Sequence, residues 1–179
     1  EIAAAIEEDL LRLSRVSRRF ELIGREPELK PVELQRVAGE LERYLRMRLP
    51  RLGPGVELEV DVPRDLPRVQ AHEVLLTWAL ENLVKNALDA LAGRGGVISL
   101  RARWEGRWVS VRIRDSGPGV DPELRDRIFE PGVSSKSGGW GVGLALARRI
   151  VEGLHGGHIE LLDGREGGAT FQVRLPVAP

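Results

Sequence analysis

The sequence predicts an α+β fold, with a leading helix set apart from a domain in which helices alternate with hairpins. Three observations indicate this class. Apolar and acidic side chains alternate over residues 56–62, which is typical of a strand with one buried face. A long helix is expected over residues 71–92, where Gly93 stops it. Residues 97–104 and 108–114 then form two strands joined by a Glu-Gly-Arg turn.

Residues 1–25 predict a separate amphipathic helix. Its apolar side chains repeat in two seven-residue registers, formed by Ile2, Val16 and Ile23, with Asp9 at the remaining position, and by Ile6, Leu13 and Phe20. This pattern favours a coiled coil or bundle between chains, and a helix packed back on its own domain is the alternative. Gly24 and Pro27 end the helix. We therefore expect residues 1–26 to belong to a bundle and residues 27–179 to a second domain.

The remaining elements of the second domain follow in order. A short extended piece at residues 30–34 leads into an amphipathic helix over 35–49, which Pro50 and a Gly-Pro-Gly turn terminate. After the hairpin, residues 115–140 are rich in Gly, Ser and Pro and predict a long irregular loop. A helix over 144–154 and a closing hairpin of residues 158–162 and 170–175 complete the chain. A loop of about 25 residues is usually a functional lid.

Composition excludes several classes of protein. The chain has 27 basic and 27 acidic residues and a formal net charge of zero, which argues against a nucleic-acid binder. It has no Cys, and its only His residues are at positions 72, 155 and 158, which argues against Cys or His metal sites. Neither a membrane span nor a signal peptide is evident. We expect a cytoplasmic protein, part of a longer parent chain whose anchoring to a membrane the sequence leaves open.

Three segments carry residue types suited to chemistry. Asn82, Asn86 and Asp89 lie four and three residues apart, so they share a helix face and offer oxygen ligands suited to Mg²⁺; a solvated polar stripe is the alternative. Asp115 directly follows a strand and precedes Gly117 and Gly119. This carboxylate could accept a hydrogen bond from the amino group of a base, while the glycines let a flat ring approach; a simple turn is the alternative.

The third segment is a run of glycines at 138–143 that leads into a helix. Unobstructed backbone N–H groups at a helix start make an anion site suited to phosphates, and the upstream Lys136 would add a point charge. The run has no Gly-Lys-Ser/Thr of a P-loop, and no Rossmann unit frames it. A glycine-rich loop alone is a weak signal, so the order of the segments matters more.

In this order, the segments resemble the ATP-binding domain of sensor histidine kinases, within the Bergerat-fold ATPase superfamily. The resemblance rests on the Asn-bearing helix, Asp-x-Gly-x-Gly at 115–119, Ile-Phe-Glu-Pro at 128–131, Ser-Ser-Lys at 134–136, Gly-x-Gly-Leu at 141–144 and Gly-Gly-Ala-Thr-Phe at 167–171. It covers about residues 30–179 and implies a two-layer α/β sandwich. A mixed, mostly antiparallel sheet would be packed on one side by three helices, with a lid at about 115–143. Residues 1–26 resemble the second helix of a dimerisation and phosphoacceptor bundle.

The resemblance implies ATP and Mg²⁺ as ligands and assigns roles to individual residues. Asp115 would read adenine, Gly117 and Gly119 would line the base, Thr170 would back Asp115 from the sheet, and Phe129 would anchor the lid. Asn86 would be the Mg²⁺ ligand, with Asn82 and Asp89 on the same face. The phosphates would be held by Lys136 and the amides around Gly139, Gly141, Val142, Gly143 and Leu144. Lys85 either reaches a phosphate or pairs with Glu81, and both interpretations are open.

The implied activity is that of a histidine protein kinase. The γ-phosphoryl group would pass to a histidine on a bundle helix that this chain lacks, and then to a response regulator receiver domain, in a parent that dimerises through the bundle. Hydrolytic relatives place a Glu four residues before the Mg²⁺-binding Asn. Here that position holds Asn82, and Glu81 lies about 140° around the helix from Asn86, which favours a kinase over an ATPase. A serine kinase of the anti-sigma type would share the pocket but not the leading helix. The alternative that is not an enzyme is a catalytically inactive nucleotide-binding interaction module, which would use the lid to contact a partner.

Overall fold

The computed structural model describes residues 26–49, 55–134, 141–162 and 167–179. The bundle helix predicted for residues 1–25 lies outside the described residues, as do Lys136 and Gly139. The described elements are, in chain order, β1 (Lys30–Val32), α1 (Leu34–Arg48), β2 (Val56–Asp61), β3 (Val69–Ala71), α2 (Glu73–Leu91), β4 (Gly96–Glu105), β5 (Trp108–Asp115), a 3₁₀ turn (Arg125–Arg127), α3 (Gly143–Arg148), a π-helix (Arg149–Leu154), β6 (His158–Leu162) and β7 (Ala169–Pro176).

The main sheet confirms the predicted fold class. Its five strands are ordered β2-β4-β5-β7-β6, and only the β2–β4 pair is parallel. The helices cover one face of the sheet, where Val111, Ile113 and Val173 are buried. The opposite face carries charged side chains in cross-strand pairs, such as Arg101 with Glu59 at 3.1 Å. The domain is therefore a two-layer sandwich in which one face of the sheet packs against the helices and the other is exposed to solvent.

The long helix α2 lies at the centre of the helical layer. Eleven of its side chains are buried, among them Leu76, Leu80 and Leu83. Because β2 and β4 are parallel, the chain must cross over between them, and α2 forms that crossover. The sheet and the crossover together fix the direction in which the exposed side of α2 faces.

The start of α2 differs from the sequence prediction. Ala71 belongs to β3, which pairs with β1, and the helix begins at Glu73. His72 is the N-cap, and its ring nitrogen Nδ1 accepts a hydrogen bond from the N–H of Leu75 at 3.4 Å. The sequence-based prediction started the helix too early, at residue 71. Ala71 is a strand residue only through pairing with β1, which is distant in the chain, so the local pattern does not show it.

His155 connects the start of α2 to the end of the π-helix. The side chain is only 2% exposed. Its Nε2 accepts the backbone N–H of His72 at 2.9 Å, and its Nδ1 lies 2.7 Å from the carbonyl oxygen of Ile150. These partners require a neutral ring with the proton on Nδ1. Burial lowers the pKa of His155, and this outweighs the opposing effect of the hydrogen bond to the Ile150 carbonyl.

The segment after β5 is more ordered than the predicted loop. Successive hydrogen bonds link residues 121 to 124, 124 to 127, 127 to 130 and 130 to 133. Ile128 is 6% exposed, and Phe129 packs edge-on against Phe171 of β7 with ring centroids 6.1 Å apart. Residues 118–134, called the wall below, therefore form a series of hydrogen-bonded turns that Ile128 and Phe129 anchor to the domain.

Candidate functional site

A cavity of about 580 Å³ opens between α2, the 118–134 segment and the start of α3. This volume is within the range of small-molecule and cofactor sites. Its lining mixes polar side chains of α2 with apolar side chains of the wall and of β7. The lining residues are Asn82, Lys85, Asn86, Asp89, Ala90, Arg94, Asp115, Pro118, Gly119, Val120, Leu124, Ile128, Val133, Ser134, Gly141, Val142, Gly143, Leu144, Ala169 and Phe171.

Asp115 is a buried carboxylate at one end of the cavity. It ends β5 and is 3% exposed. Its Oδ1 accepts the backbone N–H of Gly117 at 2.9 Å, which fixes the orientation of the carboxylate. The neighbouring Ser116 is held to β4, because its hydroxyl oxygen accepts the N–H of Val97 at 2.8 Å. Asp115 is thus held in place by the sheet and by the turn that follows it.

Three glycines allow the chain to close tightly around Asp115. A Cβ on Gly117 would lie 2.9 Å from the Cβ of Ala90, and a Cβ on Gly119 would lie 3.0 Å from the carbonyl oxygen of Gly168. Gly168 has φ +76°, and a Cβ there would overlap the carbonyl oxygen of Asp115. Side chains at these positions would push the turn, α2 and β7 apart.

The polar face of α2 lines the cavity as the spacing predicted. Asn82, Asn86 and Asp89 all contribute, and Lys85 lies beside them. The Asn82 side-chain nitrogen donates to the Trp78 carbonyl at 2.9 Å. The position of Lys85 on the lining is compatible with a role toward a phosphate. Glu81 itself does not line the cavity.

Backbone of the glycine-rich segment closes the opposite end of the cavity. Gly141 has φ +63°, and its carbonyl accepts the N–H of Gly132 at 3.0 Å, which ties the wall to the start of α3. Gly143 starts α3, and a Cβ there would lie 3.2 Å from Oδ1 of Asn82. The start of this helical segment therefore lies directly against the polar face of α2, with backbone N–H groups at its first turn.

Ten of the fifteen predicted site residues line this one cavity, namely Asn82, Lys85, Asn86, Asp89, Asp115, Gly119, Gly141, Val142, Gly143 and Leu144. Lys136 and Gly139 lie outside the described residues. Gly117 and Phe129 are adjacent to the lining but are not part of it. Gly117 supports Asp115, and Phe129 supports Phe171 from behind.

The expectation that Thr170 backs Asp115 is wrong. Thr170 pairs with Arg114 in the β5–β7 ladder, and Ala169 pairs with Asp115. Side chains of paired residues share a face of the sheet and neighbouring residues alternate, so Thr170 projects on the face opposite to Asp115. Ala169 lines the cavity instead. The alternation of 169–171 could have identified this, because Ala169 must share a face with the apolar Phe171.

Sequence reasoning also missed the apolar wall and one cation of the cavity. Val120, Leu124, Ile128 and Val133 come from the segment that was predicted as an irregular loop. Arg94 lies in the turn after α2 and lines the cavity near Ala90. The apolar residues every four positions in 120–128 were a usable signal for a packed segment, whereas the position of Arg94 depends on the turn conformation.

The donor set bears on which metal ion this site could hold. Within the described ranges, no three His, Cys, Asp or Glu side chains are grouped closely enough to hold an ion. The amide and carboxylate oxygens of Asn82, Asn86 and Asp89 fit Mg²⁺, which commonly takes one or two protein oxygens and completes its shell with water and phosphate.

No helix in the described part of the chain is long and apolar enough to cross a membrane.

Comparison with known proteins gives a consistent set of similarities. Residues 71–179 match the family described as histidine kinase-, DNA gyrase B-, and HSP90-like ATPase. The chain is 37% identical over 180 residues to adaptive-response sensory kinase SasA of Synechococcus sp. (strain CC9311), which covers 97% of this chain and 45% of that protein. It is 34% identical over 183 residues to sensor histidine kinase ZraS of Escherichia coli (strain K12), covering 99% of this chain and 38% of that one.

Solved structures agree with the sequence comparison. The nucleotide-free catalytic domain of histidine kinase ThkA matches with a TM-score of 0.73 and 30% identity, over 84% of this chain and 97% of that one. Full-length ShkA in complex with AMPPNP matches with a TM-score of 0.75 and 29% identity, over 95% of this chain and 36% of that one. The chain spans less than half the length of the SasA and ZraS relatives.

Proposed function

Because the chain belongs to the histidine kinase-, DNA gyrase B-, and HSP90-like ATPase family and is the catalytic ATPase domain of a sensor histidine kinase, we propose that its cavity binds ATP with Mg²⁺. The bound nucleotide would present its γ-phosphoryl group to a histidine on another helix. In this proposal residues 27–179 form the ATP-binding domain, and residues 1–26 are the end of a dimerisation and phosphoacceptor bundle. The observation that carries it is the meeting of Asp115, the polar face of α2 and the start of α3 around one cavity.

The base would bind at the Asp115 end. A carboxylate is an acceptor, so it selects the exocyclic amino group of adenine, and a hydrogen bond to a charged acceptor is stronger than one between neutral groups. Gly119 lets the ring approach the backbone, and the apolar side chains of Ile128, Ala169 and Phe171 supply the rest of this end. Ala169, which pairs with Asp115, has no hydroxyl group, so Asp115 is the residue of this strand pair that would hydrogen-bond the base.

The phosphates would bind at the opposite end. Asn86, with Asn82 and Asp89 beside it, offers the side-chain oxygens for Mg²⁺, which when bound neutralises charge on the phosphate oxygens. Lys85 lies on the same side and is available to a phosphate. The amides around Gly141, Val142, Gly143 and Leu144 lie at a helix start, where N–H groups favour anions. We also assign Lys136 and Gly139 to phosphate binding on the resemblance alone.

The side chains around the phosphate end favour transfer over hydrolysis. Hydrolysis needs a carboxylate positioned to activate water, which contributes about 10²- to 10⁴-fold in rate. The cavity-lining residue four positions before Asn86 is Asn82, and Glu81 does not line the cavity. The carboxylate that does line this end, Asp89, is assigned to the Mg²⁺ ligands. Catalysis would then depend on positioning and charge neutralisation. A module that only contacts a partner protein would not need this set of polar side chains around the cavity.

None of the three histidines lines the cavity: His72 is the N-cap of α2, and His158 begins β6 with its ring 5.0 Å from that of Trp108. His155 is buried and engaged at both ring nitrogens, so it is not accessible to a phosphoryl group. We propose that a histidine on a preceding bundle helix of the parent protein accepts the phosphate, that a response regulator receiver domain takes it next, and that the parent dimerises through its bundle in the cytoplasm. One solved relative is histidine kinase ThkA in complex with response regulator protein TrrA.

Nucleotide titration of the 179-residue chain tests the proposal. We expect Mg-ATP binding in the unaltered chain and the loss of about ten- to hundred-fold in affinity for Asp115→Asn, since a hydrogen bond to a charged group contributes about 1.5–3 kcal/mol. Asp65→Asn is a matched control, because Asp65 is exposed and does not line the cavity. Retained affinity in Asp115→Asn would refute the adenine assignment, and absence of ATP binding in the unaltered chain would refute the function.

A further inference from the structure

Arg148 lies behind the cavity wall and contacts Phe129 from the solvent side. Its guanidinium carbon is 5.8 Å from the centroid of the Phe129 ring. This distance is within the range of a cation–π interaction. Arg148 belongs to the last turn of α3, whose first turn forms part of the cavity. Neither Arg148 nor Phe129 lines the cavity, so any effect of Arg148 on a ligand must be transmitted through another residue.

Glu152 fixes the position of the Arg148 side chain. The Nε of Arg148 lies 2.8 Å from Oε2 of Glu152, one turn further along the helical segment. The other oxygen of the same carboxylate, Oε1, accepts the backbone N–H of Ile159 at 3.3 Å. The guanidinium is therefore tied through Glu152 to β6. A single surface ion pair contributes little by itself, but here it reduces the number of orientations open to Arg148.

Phe129 transmits this contact to the cavity. Its ring meets Phe171 edge-on at 83°, and Phe171 lines the cavity. The preceding residue, Ile128, is 6% exposed and also lines the cavity. Residues 128–134 have no regular secondary structure, so their position depends on contacts of this kind and on the Gly132–Gly141 hydrogen bond.

We propose that Arg148 is a positioning residue for nucleotide binding: by holding Phe129 against Phe171, it keeps the apolar wall of the cavity in its binding-competent place. This inference rests on the proposed function. The planar guanidinium suits the role because it can stack on the ring while its edge bonds to Glu152, which the compact ammonium of a lysine does less well. A cation–π contact at a partly exposed site corresponds to about a two- to five-fold change in an equilibrium constant.

The test compares Arg148→Ala with Arg149→Ala in the 179-residue chain, with Mg-ATP and Mg-ADP affinities measured well below the unfolding temperature. Arg149 is the neighbouring arginine, is exposed and does not line the cavity, so it controls for loss of charge. We expect Arg148→Ala to lose about two- to five-fold in affinity for both nucleotides, Arg148→Lys to lose less, and Arg149→Ala to match the unaltered chain. Equal behaviour of Arg148→Ala and Arg149→Ala would overturn the inference.

Phe129→Leu completes a double-mutant cycle that a merely structural role of Arg148 would not satisfy. If Arg148 acts through the ring, Arg148→Ala should have no further effect on affinity once Phe129 is Leu. An undiminished effect in that background overturns the inference, and so does a loss that is larger for ATP than for ADP, because this would indicate direct contact with the γ-phosphate. Failure of the unaltered chain to bind nucleotide would instead refute the proposed function.

Discussion

Gly167 and Gly168 offer a matched pair of substitutions that isolates one contact. Both have positive φ, +77° and +76°, so an alanine in either position is strained by about 1–2 kcal/mol. Among the described residues, a Cβ on Gly167 would have no neighbour within 4 Å, whereas one on Gly168 would overlap the Asp115 carbonyl oxygen and lie 3.1 Å from the Cα of Ser116. The two variants therefore share the backbone strain and differ in the steric overlap.

The magnitudes follow from these geometries. Gly167→Ala should lower the free energy of unfolding by about 1 kcal/mol, since part of the strain is offset by the stiffer unfolded chain. Gly168→Ala adds a displacement of Asp115, and overpacking of this kind costs about 1–3 kcal/mol more. For a domain of this size each kcal/mol shifts the melting temperature by about 2–4 °C. Gly168→Ala should also weaken Mg-ATP binding, because Asp115 moves.

Urea unfolding and nucleotide titration measure the two effects separately. The unfolding slope should be equal in both variants and in the unaltered chain, so that the midpoints report stability directly. We expect a clear gap in midpoint between Gly167→Ala and Gly168→Ala, with loss of ATP affinity only in the second. Equal midpoints would refute the close approach of Gly168 to Asp115. A destabilised Gly168→Ala that binds ATP normally would refute the dependence of binding on the position of Asp115.

Two further predictions concern His155 and Asn86. Burial lowers the pKa of His155 in the folded state. Below pH about 6.5 the unfolded chain therefore takes up a proton at this residue that the folded chain does not. The free energy of unfolding falls by at most about 1.4 kcal/mol per pH unit until the folded pKa is reached. Urea unfolding between about pH 7.5 and 5.5 should show this decrease of the free energy of unfolding with falling pH in the unaltered chain and not in His155→Gln. An equal decrease in both chains would refute the assignment to His155. Asn86→Ala should bind ATP equally well with Mg²⁺ and with a chelator, whereas the unaltered chain should bind better with Mg²⁺, and a Mg²⁺ dependence that survives the substitution would exclude Asn86 as the ligand.

The parts of the fold that follow from local pattern were predictable from the sequence. The alternation over 56–62 became β2 (Val56–Asp61), and the closing hairpin became β6 and β7. The Asn82, Asn86 and Asp89 spacing placed all three side chains on the cavity, because helix geometry alone determines that they share a face.

The remaining features depend on partners distant in the chain. β3 has three residues and exists through its pairing with β1, so nothing in its own sequence marks its end at Ala71. The wall residues around Ile128 are ordered by contacts such as Phe129 with Phe171, which no local pattern encodes. The error at Thr170 had a different origin. The family motif has its Thr at position 170 of this chain, whereas the alternation of the strand places Ala169 on the cavity side.

The π-helix has a consequence for how the length of this domain can vary. Its wider turn, closed by the hydrogen bond from the N–H of His155 to the carbonyl of Ile150, accommodates one more residue than an α-helix over the same rise. Deleting the exposed Gly153 would let the turn close as ordinary α-helix and leave both ends of the segment in place. A one-residue deletion in α2 before Asn82 would rotate every later residue by about 100° and turn the asparagines away from the cavity. Length variation between α3 and β6 is therefore compatible with an intact cavity, and length variation within α2 is not.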